Sequence, residues 1–185
     1  MKRTIWTPTL AWLAAVSGAL VLAFAAPSDS SILGRLPTLT VKRLDQQRVM
    51  LPQGLPAERT LALVAFQRGQ RAEIDSWIQG LRLDQDRSIS WFRMPVLNDP
   101  GNEGARSDIE NRLLERHPTE SARARLLPVF TDRDAFLRTA GLSSTDHAWV
   151  LVLNREGKVL ARAEGLFDET KGQALRETLL AQGGD

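Results

Sequence analysis

His147 follows Asp146, an imidazole beside a carboxylate, and these are groups that general acid–base chemistry uses often. Consecutive side chains on an extended segment point to opposite faces, so the pair does not orient itself, and His147 is expected as an exposed or capping residue. His117 precedes Pro118 and reads as the last residue of a helix, its ring set against the negative end of the helix dipole. Two separated histidines, without cysteine or a clustered carboxylate set, do not make a zinc site. Asp132, Asp134 and Asp146 lack the oxygen spacing and the glycine of a calcium loop. The serines show neither the nucleophile elbow nor the Ser-x-x-Lys pattern of hydrolases, and no glycine-rich phosphate loop is present. No metal and no cofactor are expected.

The 185 residues include no cysteine, which excludes thiol–disulfide exchange and thiol peroxidase activity. Lys and Arg total 24 against 22 Asp and Glu, and both excess cations, Lys2 and Arg3, lie at the extreme N-terminus. Residues 26–185 therefore carry 22 basic and 22 acidic side chains, which leaves nucleic-acid binding without an electrostatic basis.

Lys2 and Arg3 precede the apolar run Leu10–Ala26, and Ala23–Ala25 has the small-x-small pattern of signal-peptidase cleavage. Residues 1–25 are expected to be a signal peptide or an uncleaved N-terminal membrane anchor, 26–35 a linker, and 36–185 one domain. The expected location is periplasmic or secreted, with membrane contact only through the N-terminal segment if that segment is retained. Intact-mass measurement of the exported protein distinguishes the two states.

The elements that must position the candidate residues alternate between strands and helices. Leu39–Val41 and Val49–Leu51 read as a hairpin about the polar Asp45–Gln47. Thr60–Phe66 is continuously apolar, as a central strand covered on both faces must be. Ile74, Trp77, Ile78 and Leu81 make one apolar stripe on a helix over residues 71–83. Ser88–Met94 reads as a second strand parallel to the first, with pairing ending or shifting at Pro95.

Ser107 and Glu110 have capping-box spacing for a helix running to His117. Leu126–Phe130 reads as a short strand or an extended lead-in to a helix from Thr131 to Thr139, closed by Gly141. Ala148–Leu153 and Lys158–Ala163 flank the turn Asn154–Gly157 and make the clearest hairpin in the chain. A last helix is expected after the N-cap Asp168, ending at Gly183 and Gly184. Trp77 and Trp149 fall in core patterns, whereas Trp91 competes with Phe92 for the buried face.

This order, with the local sequences Thr38–Pro52, Thr60–Phe66 and Leu151–Val159, resembles the secreted and peroxiredoxin-related group of the thioredoxin-like superfamily over residues 36–181. Phe66–Gln70 followed by Asp75–Trp77 also resembles the mitochondrial ATP synthase assembly-factor family, whose members have a thioredoxin-like domain. The resemblance implies an α/β fold: a central mixed sheet flanked by helices, preceded by a β-hairpin. It also implies a Cys-x-x-Cys or peroxidatic cysteine after the central strand and a cis-proline before the closing hairpin. Here those places hold Gln67–Arg71 and Asp146–Ala148. The scaffold is implied and the reaction is not.

Arg68 and Arg71 would set two permanent cations beside a helix start, a place suited to an anion or an acidic peptide. The candidate binding set is Gln67, Arg68, Gln70 and Arg71, with Asp146 and His147 brought alongside by the implied fold. The expected function is non-catalytic: a protein-binding or assembly-factor domain acting on another envelope or membrane protein. The alternative is an enzyme of the same group with a cysteine-independent activity.

Overall fold

The computed structural model describes residues 33–181. The signal or anchor expected over residues 1–25, most of the linker, and Gly183 and Gly184 lie outside the described residues. A two-stranded antiparallel hairpin, β1 (Leu39–Lys42) and β2 (Arg48–Leu51), opens the fold. A five-stranded sheet follows, made of β3 (Arg59–Ala65), β4 (Trp91–Asn98), β5 (Val129–Thr131), β6 (Trp149–Asn154) and β7 (Val159–Glu164). Its order is β5-β4-β3-β6-β7, with β3 parallel to β4 and antiparallel to β6, so the sheet is mixed and β3 is central.

The helices are α1 (Arg71–Gly80), α2 (Glu103–Arg116), α3 (Glu120–Ala124), α4 (Arg133–Ala140) and α5 (Glu169–Leu180). The period-2 pleat of β3 divides its apolar residues between two cores, which is why the strand is continuously hydrophobic. Leu61 and Leu63 pack with Ile74, Trp77 and Ile78 of α1 and with Leu175 of α5. Ala62 and Val64 pack on the other face with Phe136 of α4 and with Val41 and Leu51 of the hairpin. Trp91 and Phe92 belong to opposite cores and are both buried, so neither displaces the other.

Several boundaries differ from the sequence-based expectation, each for a local reason. Helix α1 ends at Gly80 rather than near residue 83, because Leu81 caps it and Arg82 turns to a φ of 52°. Strand β4 runs through Pro95 to Asn98; its register pairs with β3 as far as Pro95 and with β5 from Val96, so the proline marks a change of partner. Helix α2 starts before the Ser107–Glu110 box, since Asn102 Oδ1 accepts the Ala105 N–H at 2.8 Å and caps it first. Asp132, not Thr131, caps α4, accepting the Ala135 N–H at 3.0 Å. The single-turn helix α3 was not expected at all; Thr119 caps it.

Gly141 closes α4 with a φ of 71°, and a Cβ there would lie 1.7 Å from the Leu33 carbonyl oxygen, so only glycine fits.

Candidate functional site

At the end of β3 the chain leaves the sheet through Phe66 and Gln67, makes one 3₁₀ turn over Arg68–Gln70, and enters α1 at Arg71. The Gln70 side chain turns inward and is only 3% exposed. Its Oε1 accepts the backbone N–H groups of Phe66 at 2.7 Å and Gln67 at 3.1 Å, while its Nε2 donates to the Thr145 carbonyl at 2.7 Å. Gln67 Nε2 donates to the same carbonyl at 3.1 Å. Two side-chain amides thus fill both acceptor positions of one oxygen and tie the corner after β3 to the loop before β6.

A second tie lies one turn further along α1. Glu73 Oε2 accepts the Ala148 N–H at 2.6 Å, and its Oε1 lies 3.1 Å from His147 Nδ1. The hydrogen bond to Glu73, reinforced by its negative charge, raises the His147 pKa above the ordinary 6.5. His147 is exposed, as expected, but its partner is Glu73 rather than its neighbour Asp146. Folding raises this pKa, so the pair stabilises the fold below the unfolded-state value, and the contribution disappears as pH rises through the folded value. Glu73→Gln should return the His147 titration toward 6.5, read from its imidazole resonances; an unchanged midpoint would show that Glu73 is not the cause.

Of the six candidate residues, Gln67 and Gln70 meet at Thr145, and His147 reaches α1 through Glu73. Gln70 bonds inside the protein and is not available at the surface. Arg68 and Arg71 are exposed on the same corner; Arg71 Nε lies 3.5 Å from Asp75. Asp146 is exposed, its backbone N–H donating to Ser144 Oγ at 3.3 Å, and among the described residues it forms no salt bridge. Sequence reasoning missed Glu73 and Thr145, which carry no motif and act only across the fold.

It also missed a groove of about 380 Å³ beside this corner, lying among the start of α1, β4 and α2. Its floor is aliphatic, with Leu63, Met94, Leu97, Ile109 and Leu113. Around it stand Arg68, Arg71, Arg93, Arg112 and Arg116, with His117, and no carboxylate lines it. Outside the lining, Asp75 is shared between Arg71 at 3.5 Å and Arg93 at 3.1 Å. His117 caps α2 as expected, with Nδ1 donating to the Leu113 carbonyl at 2.9 Å. Its pKa is lowered rather than raised, because burial, with the positive charges of Arg93, Arg71 and Arg116, outweighs that hydrogen bond.

No protein-family model and no curated protein matches the sequence. Solved structures do match in shape. A candidate electron transfer protein from Aquifex aeolicus VF5 superposes with a TM-score of 0.55 at 12% identity, over 79% of this chain and 95% of that one. BsSco, a member of the Sco family of cytochrome c oxidase assembly proteins, gives 0.52 at 14% identity over 78% of this chain and 91% of its own. The pneumococcal exposed lipoprotein thioredoxin Etrx1 from Streptococcus pneumoniae strain TIGR4 gives 0.50 at 14% identity, over 77% and 98% respectively.

Proposed function

We propose, from a thioredoxin-like fold whose chain carries no sulfur nucleophile, that this protein is a non-catalytic binding domain of the envelope, assisting the assembly or folding of another protein. The contact surface is the corner made by Gln67–Arg71 and the loop Thr145–His147. One observation carries the reading: at the end of the central strand, the buried Gln70 amide braces its own corner with two hydrogen bonds and ties it to the loop before β6 with a third. A locked corner presents Arg68 and Arg71 at low entropic cost to an acidic segment, which is what preorganised recognition needs. The Gln67–Arg71 side of the corner carries amides and guanidiniums, which bind anions well and are poor nucleophiles. The apolar run Leu10–Ala26 supports export. BsSco, a member of a family of oxidase assembly proteins, supports an assembly role on such a scaffold.

Insulin-reduction and peroxide-consumption assays on the purified protein should stay at the buffer control. A photo-crosslinking residue in place of Arg68 should capture a discrete envelope partner, and Arg68→Glu with Arg71→Glu should lose that capture. Reproducible turnover, or capture unaffected by the charge reversal, would overturn the reading.

A further inference from the structure

We propose that the groove among α1, β4 and α2 is a binding site for a small anionic amphiphile, its aliphatic chain on the apolar floor and its acidic head held by Arg112 and Arg116. The inference goes beyond the protein-binding corner, although Arg68 and Arg71 stand at the edge of both.

Three observations carry it. The volume, about 380 Å³, falls among small-molecule sites, which span roughly 300–1,000 Å³. The composition is split by chemistry. Ile109, Arg112, Leu113 and Arg116 recur at helical spacing on one side of α2, so that helix turns both aliphatic and cationic groups toward the groove. No residue of α2 is buried, although Ile109 and Leu113 are apolar and only half covered. The charge is also uncompensated. Among the described residues Arg68, Arg112 and Arg116 form no salt bridge, and Asp75 serves Arg71 and Arg93.

An anion held by the paired arginines would offset that excess in geometry suited to a carboxylate or phosphate. An alkyl chain asks nothing polar of the floor. A peptide, by contrast, brings backbone N–H and C=O groups that side chains of an aliphatic floor leave unpaired.

The test uses the whole protein and single-chain probes below their micelle concentrations: laurate, dodecyl phosphate, dodecyltrimethylammonium, acetate, and an acidic amphipathic peptide. Calorimetry should show saturable one-to-one binding of laurate or dodecyl phosphate, the tighter of the two identifying the head group, with no binding of acetate or the cationic amphiphile. Arg112→Glu with Arg116→Glu should weaken binding by roughly tenfold or more. Both side chains are exposed and the fold should survive; Arg112→Gln with Arg116→Gln provides a milder second variant.

His117 gives an independent readout. A bound anion would offset the repulsion from Arg93, Arg71 and Arg116, so the His117 titration should move up on binding while that of His147 stays in place. The chain has only these two histidines, so each is followed separately. Absence of saturable binding, wild-type affinity in both double variants, equal binding of the cationic amphiphile, or preference for the peptide would each overturn the proposal. The variants leave Gln67–Arg71 intact, so a failure here leaves the protein-binding reading standing, and partner capture at Arg68 tests that reading separately.

Discussion

Gln67→Cys combined with Gln70→Cys should give this protein a disulfide and a thiol-exchange activity that its own sequence lacks. The two positions are three residues apart, the Cys-x-x-Cys spacing, and the backbone already closes a turn there, with Gln70 N–H donating to the Gln67 carbonyl at 3.2 Å. Position 67 is exposed and can meet a substrate, whereas position 70 is buried and suits the resolving sulfur. Arg68 lies between the new thiols and Arg71 follows them at the start of α1, so the outer thiol should have a depressed pKa and a substantial thiolate fraction.

With dithiothreitol as electron source, insulin disulfides should be reduced at a rate on the order of tenfold above the wild-type background. Under mild oxidation the intact mass should fall by two hydrogens. A folded double variant that forms no intramolecular disulfide would refute the correspondence of this corner with the Cys-x-x-Cys position that the resemblance implies.

Gln70→Leu should be strongly destabilising at the same corner, although the new side chain has nearly the same size. It leaves the buried Phe66 N–H without an acceptor, removes the acceptor of Gln67 N–H, and takes one of two donors from the Thr145 carbonyl. Each unsatisfied buried group costs about 1–3 kcal/mol, so a loss of roughly 2–5 kcal/mol is expected from denaturant unfolding. Gln67→Ala, which removes one exposed donor to Thr145, should cost only about 0.5–1.5 kcal/mol. Hydrogen exchange should locate the difference: amides of Phe66, Gln67 and the loop before β6 should lose protection in Gln70→Leu while those of β7 and α5 keep theirs. A variant as stable as the wild type would mean that the amide network contributes little and that the corner is not rigid, removing the main support for recognition by preorganisation.

Much of the fold was legible because its signals are local. The unbroken apolar run of β3, the stripe Ile74–Trp77–Ile78–Leu81, and the turn at Gly157, with a φ of 76°, depend on neighbours in the chain. The caps were less legible. Ser107 has the right type and spacing to start a helix, yet Asn102 precedes it and wins, since whichever side chain first satisfies the free N–H groups sets the boundary. His117 shows the same limit for electrostatics: its place at a helix end argues for a raised pKa, and burial beside three arginines reverses the sign.

The candidate site divides along the same line. Composition removed sulfur chemistry and balanced the charge of residues 26–185, and hydrophobic periodicity placed Gln67–Arg71 at a strand-to-helix corner, because counting and periodicity require no partner in space. Only the folded chain could turn Gln70 inward onto Thr145, set Glu73 against His147, and gather Arg68 and Arg71, Arg93, and Arg112 and Arg116 from three separate stretches around one groove. Such meetings depend on strand register and helix packing over tens of residues, and no short-range preference of the chain encodes them.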